Sequence, residues 1–217
     1  TWSALDRDPP ALVLLVAFGS LAAQTHIPYV GLCGGMAFLA FTVVLSRAFR
    51  DVVGSASRRQ AFRWAAGALA LGVVLWVPPL LDQLFGHANL STIARHFGDP
   101  PESPVGLGAG ARVLLERFDI VHLFDRPDYS RLVVAVSHRS QGVAAIGAVV
   151  VAAWAACAIG AIVARLRRVL ALHATVAFGL VLALVSTSRI FGDVWFYLTL
   201  WSLSLVLLAV FASVWTV

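Results

Sequence analysis

Lysine is absent from this sequence, and all sixteen basic residues are arginine. Charge of either sign is scarce, at 12% of residues against about a quarter in a soluble domain. With 60% of the residues hydrophobic, one core could not hide so much apolar surface, so an ordinary soluble fold is excluded. Cysteine is limited to Cys33 and Cys157, both inside apolar runs, which argues against a disulfide framework. Glycine-rich phosphate loops, Cys–His metal spacings and internal repeats are missing. So is the basic start, short apolar core and small-residue cleavage site of a signal peptide.

What is there is apolar sequence in long runs. Crossing a bilayer takes about 20 mainly apolar residues. The runs Ile27 to Leu45, Ala61 to Leu81, Val143 to Ala164, Val169 to Val185 and Val194 to Val217 meet or approach that length. Ala11 to Ala23 is shorter and crosses only with tilt or local thinning of the bilayer. The expected fold is therefore all-α, a polytopic integral membrane protein of about six transmembrane helices. Residues 1–217 read as a single transmembrane domain, and as a piece of a longer polypeptide, because the sequence starts without methionine and stops inside an apolar run.

The pI of about 10.2 invites a nucleic-acid reading. The arginines, however, sit at the ends of apolar runs, as orientation signals do. Arg47, Arg50, Arg58, Arg59 and Arg63 surround one connection, and Arg165, Arg167 and Arg168 another. Two spans separate these clusters, so both fall on one side, the cytoplasmic side by the positive-inside rule. Both ends of the chain then face the cytoplasm, and no nucleic acid is expected as a partner. The arginine bias, with heavy Ala, Val, Leu and Gly use, suggests a GC-rich bacterial genome and hence a bacterial cytoplasmic membrane.

Residues 82–141 form the expected extracytoplasmic segment. Its arginines are balanced by Asp82, Asp99, Glu102, Glu116, Asp119, Asp125 and Asp128. Asn89 is the expected N-cap of a short interfacial helix, Leu90 to Phe97, with Leu90, Ile93, Ala94 and Phe97 on one side. Gly98 to Gly110 reads as an irregular loop. Ala111 to Phe124 is expected to be helical, with Val113, Leu114, Phe118, Val121 and Phe124 as its apolar stripe. A turn is expected at Arg126-Pro127-Asp128, and Leu132 to Val136 is an apolar stretch without a readable period.

Three polar groups then fall at outer helix ends: Gln24-Thr25-His26; Asp82-Gln83 after Pro78-Pro79, followed by His87 and Asn89; and Ser186 to Arg189, with Asp193 and Tyr197 beyond. A proline pair frees backbone carbonyls and kinks a helix. Polar side chains near hydrocarbon usually face a cavity, a partner or water. An outward pocket built from Gln24, His26, Asp82, Gln83, Asn89 and Arg189 is the functional expectation, with Arg189 suited to a lipid phosphate. The plainer reading is that polar residues belong at helix ends anyway. His173, near the inner end of its run, reads as a packed histidine, and Trp76, Trp195 and Trp201 as interface anchors.

At these motifs the chain resembles a known family. Gly19-Ser20-Leu21-Ala22-Ala23-Gln24-Thr25-His26-Ile27-Pro28-Tyr29, the Trp76-Val77-Pro78-Pro79-Leu80-Leu81-Asp82-Gln83 stretch followed by Gly86-His87-Ala88-Asn89-Leu90-Ser91, and the Ser188-Arg189-Ile190-Phe191-Gly192 turn resemble segments of actinobacterial GT-C-type membrane glycosyltransferases. The resemblance covers most of the chain from Asp6 to Trp201. It implies sugar transfer from a polyprenyl-phosphate donor to a cell-envelope glycan, glycolipid or protein on the outer face of the membrane. It implies a catalytic carboxylate in an early outer loop, which is not found here, so no catalytic residue is named and Asp82 does not inherit that role. No metal ligands are named, although a divalent cation (Mg or Mn) or an arginine would steady the departing phosphate. The competing expectations are a transporter or flippase of lipid-linked intermediates and a non-catalytic membrane scaffold.

Overall fold

The computed structural model describes residues 1–50, 55–100, 102–121 and 141–217. Among them the chain is helical throughout, and the one β-type pairing is an isolated bridge between Pro104 and Phe191. Four helices are long and apolar enough to cross a membrane: Pro28–Arg50, Ala56–Phe85, Ala144–Val163 and Arg167–Ser188. Two further apolar helices, Ala11–Thr25 and Ser202–Thr216, are shorter. The expectation of about six spans thus resolves into four helices of spanning length and two of about 22 Å each, against about 30 Å of hydrocarbon.

The chain divides into two compact units, Thr1–Pro101 and Glu102–Val217. The first holds α1 (Trp2–Leu5), α2 (Ala11–Thr25), α3 (Pro28–Arg50), α4 (Ser55–Phe85) and α5 (Asn89–Gly98). Proline at the first position of α3 suits a helix start, where its missing N–H costs nothing. The core is built largely from alanine: Ala4, Ala11, Ala40, Ala61, Ala65 and Ala68, with Leu12 and Val44. Small side chains let helix backbones approach where lipid offers no hydrophobic drive for association.

α2 and α4 lie side by side and run the same way. A Cβ on Gly72 would stand 3.2 Å from Val16 Cγ1, and Trp76 Nε1 donates to Ser20 Oγ at 3.3 Å. Both pairs are 56 residues apart, so the contacts climb together. Leu12, Val16, Ser20 and Gln24 recur every four residues on the α2 face that meets this seam. α4 stays helical through Pro78 and Pro79. Its apolar outer face, including Leu69, Val73, Leu84 and Phe85, is exposed, as a lipid-facing surface would be.

The second unit holds α6 (Gly106–Arg117), α7 (Gln141–Val163), α8 (Arg167–Ser188), a 3₁₀ turn (Phe196–Thr199) and α9 (Ser202–Thr216). The sixth apolar run, expected to be continuous from Val194, is broken before α9. Here Trp201 Nε1 donates to Leu198 O at 2.7 Å and the Ser202 hydroxyl to Thr199 O at 2.6 Å. These local side-chain bonds satisfy carbonyls that a continuous helix would otherwise have bonded.

α6 departs most from expectation. It starts five residues earlier than predicted and ends at Arg117, with Phe118 as its C-cap. It is packed among α7, α8 and α9 rather than laid on an interface. Gly110 meets the backbone of Ser188, at the end of α8. Phe118, 1% exposed, joins Val176, Val206 and Ala209 in the core. Val176 precedes Ser188 by twelve residues of helix, about 18 Å. α6 therefore dips into the bundle. Val121, expected on the apolar stripe, is exposed. Residues 122–124 of the expected helix, the turn at 126–128 and the apolar stretch at 132–136 lie outside the described residues.

Candidate functional site

The first two polar groups both belong to the first unit, and each is engaged by the protein itself. Proline has no N–H, so Pro79 cannot bond the carbonyl four residues back, which is Leu75. Gln24 supplies the missing donor: its Nε2 donates to Leu75 O at 2.9 Å. The glutamine of the expected sugar site is thus a tertiary substitute for a backbone hydrogen bond. His26 caps α2 in an extended conformation, and its ring meets Tyr29 edge-on at 5.8 Å.

Asp82 and Gln83 hold the α4–α5 corner. The expected cap, Asn89, is the first helical residue, and Ala88, with left-handed backbone, takes the N-cap position without a side-chain bond. The orphan donors of α5 are met from outside. Asp82 accepts from the backbone N–H of His87 at 3.2 Å and of Asn89 at 3.3 Å. Gln83 Oε1 accepts from Ser91 N–H at 2.9 Å, while its Nε2 donates to Ser91 Oγ at 2.6 Å. Donors at a helix start favour a carboxylate, and the His87 ring lies 3.7 Å from it. No residue of α5 is buried, which suits its expected place at an interface.

Arg189 belongs to the second unit. It is exposed, and its N–H closes the end of α8 on Ser186 O at 3.2 Å.

The second unit also buries a polar cluster that the sequence reading passed over as loop charge. Glu116 and Arg117 are each 4% exposed and Asp119 3%, at the deep end of α6. Arg117 Nε donates to Thr199 Oγ1 at 3.0 Å, and Thr199 is itself fully buried. Arg112 Nε stands 3.3 Å from Glu116 Oε1, one helical turn away. Thr187, Ser188 and Ser202 are buried as well. Moving a charge out of water is costly unless it is paired, and ionisable groups inside apolar bundles usually serve function. The sequence signal for this cluster was slight: Glu116 and Arg117 lie between Leu114 and Phe118, inside an otherwise apolar stripe. Thr199, 82 residues away, gave no signal.

A second buried group lies elsewhere in this unit. His173 Nε2 and Thr216 Oγ1 are 2.9 Å apart, and the Thr216 hydroxyl donates to Ala212 O. His173 is packed as expected.

Among the described residues no three His, Cys, Asp or Glu side chains gather as metal ligands. No family model, curated protein or solved structure matches the chain.

Proposed function

We propose that the chain is a membrane-embedded part of a glycosyltransferase-like protein. In this reading it takes sugar from a polyprenyl-phosphate donor and passes it to a cell-envelope acceptor on the outer face of a bacterial cytoplasmic membrane. The single observation that carries the reading is the buried Arg117, held by Thr199 inside an apolar unit. A guanidinium in low dielectric is a strong, geometrically selective partner for a phosphate. Arg189 offers a second guanidinium for the lipid phosphate. During transfer the acceptor hydroxyl oxygen bonds to the anomeric carbon, the carbon–oxygen bond to phosphate breaks, and polyprenyl phosphate leaves with the electron pair. The hydroxyl proton passes to a carboxylate base, and the arginines stabilise the leaving phosphate. Gln24, Asp82, Gln83 and Asn89 support this chemistry by holding α2, α4 and α5 in place.

Purified protein carrying this chain together with the carboxylate-bearing outer loop, given a polyprenyl-phosphate sugar and acceptor glycan in vesicles, is expected to release polyprenyl phosphate. Arg117→Gln should slow release by about a hundredfold. Absence of release by that wild-type protein, or full activity of its Arg117 variant, would defeat the reading. One observation favours the second reading, a transporter or flippase of lipid-linked intermediates. α6 ends within the bundle and the last apolar run is broken, and discontinuous helices beside buried charge are a transporter device. That reading predicts solute counterflow without bond cleavage.

A further inference from the structure

The second unit holds two neighbouring ring nitrogens that the protein does not satisfy. Trp154 Nε1 on α7 and His173 Nδ1 on α8 are shut off from solvent, and neither has a hydrogen-bond partner among the described residues. Their rings face one another, with centroids 6.0 Å apart and planes tilted by 48°. His173 is 3% exposed, and its other nitrogen, Nε2, already stands 2.9 Å from Thr216 Oγ1 of α9. The imidazole lies about 9 Å along α8 from its arginine-bearing start. Trp154 packs against the apolar cluster of Phe118, Val176, Val206 and Ala209. α7 and α8 are both long and apolar enough to cross a membrane. At such depth bulk water does not reach a polar atom, and leaving a buried donor or acceptor unbonded costs its full desolvation.

The chemistry of the pair selects what joins it. An indole N–H only donates, so the occupant must accept, which excludes a metal cation on that side. Imidazole Nδ1 donates or accepts according to tautomer, so the occupant must answer either. A simple anion meets the indole but needs a charged imidazole opposite. Water accepts and donates at once, and trapped waters of this kind serve buried polar groups that lack protein partners. Rings at this separation, without a direct bond between their nitrogens, can be bridged by a single water. We propose that one ordered water is bound between Trp154 Nε1 and His173 Nδ1, accepting from the indole and completing the imidazole. With Thr216 on the far nitrogen, it ties α7, α8 and α9 at one polar point inside an otherwise apolar region. Polar ties of this sort fix the partners of helices for which lipid provides no hydrophobic drive.

The test uses the full 217-residue chain in lipid nanodiscs with nitrogen-labelled tryptophan. The Trp154 indole resonance is identified as the one lost in W154F. In wild type it is expected to show a cross-relaxation peak to a long-lived water, and in H173F that peak should vanish. Thr216 keeps its own bond to Ala212 O in H173F, so this variant strands only the indole. Stability gives an independent reading through Cys157, three residues beyond Trp154 on α7. W154F and H173F each leave one nitrogen without its partner and should each speed maleimide labelling of Cys157 roughly tenfold. W154F/H173F removes both polar atoms and should return labelling to within about threefold of wild type. Absence of a water peak at Trp154 in wild type overturns the site, as does a peak that survives in H173F. A direct coupling from the indole N–H to the imidazole, without water, overturns it in favour of a plain hydrogen bond. Additive losses in the double variant also count against it. If H173F fails to fold, the wild-type water peak still decides.

Discussion

The two units of this protein solve the same problem with opposite materials. The first packs alanine against alanine, and its buried polar inventory among the described residues is Ser20, at 9% exposure. Its other polar groups work at helix ends, repairing a proline break and capping a corner. The second unit takes Glu116, Arg117, Asp119, Thr187, Ser188, Thr199 and Ser202 inside. A protein that can build an apolar helix seam in one half has no packing reason to bury arginine and two acids in the other. Polar residues in the first unit close a helix break and a corner, while those of the second are held away from water at a cost.

Each unit carries one cysteine on a helix, Cys33 on α3 and Cys157 on α7, so maleimide labelling during heating reports on them separately. The largest expected effect is from Gly147→Ala. A Cβ there would run into the backbone carbonyl of Leu115, driving α7 off α6. A loss of about 3 kcal/mol follows from such overpacking. Cys157 should become reactive at lower temperature while Cys33 keeps its wild-type profile; simultaneous exposure of both would erase the division into units.

Next comes Gln24→Leu, expected to cost about 1 kcal/mol by stranding the Leu75 carbonyl. In a Pro79→Ala background the restored N–H can bond that carbonyl, so the same substitution should become nearly neutral. A double-mutant cycle read at Cys33 checks this, and an unchanged cost would break the link between glutamine and proline. The smallest effect belongs to Asp82→Ala, which should speed amide exchange in α5 and leave both cysteine profiles alone. Asp82→Asn, which still accepts hydrogen bonds, should exchange close to wild type.

The long helices were legible because hydropathy over about 20 residues is a strong, local signal. Pro28–Arg50 and Arg167–Ser188 extend past the apolar runs Ile27 to Leu45 and Val169 to Val185 chiefly by taking in flanking arginine, serine and threonine. What stayed hidden depended on distant partners. Asn89 has the composition of a cap, but Asp82 and Gln83 perform the capping from the preceding helix. Only the start of α6 reads as loop, because Gly106, Gly108 and Gly110 fall in its first residues. Nothing local says that Thr199 will receive Arg117 or that Gly147 will let Leu115 approach. The break before α9 was masked by continuous hydropathy through Trp201.

A seam of identical small side chains has an inherent weakness. Two such helices can slip past each other by a turn, about 5.4 Å, and meet nearly the same surface again. The carbonyl released at Leu75 has no such equivalent one turn away. By giving Gln24 a single address, the proline pair acts as a detent that stops α2 from sliding along α4, and so fixes the height at which everything attached to either helix stands.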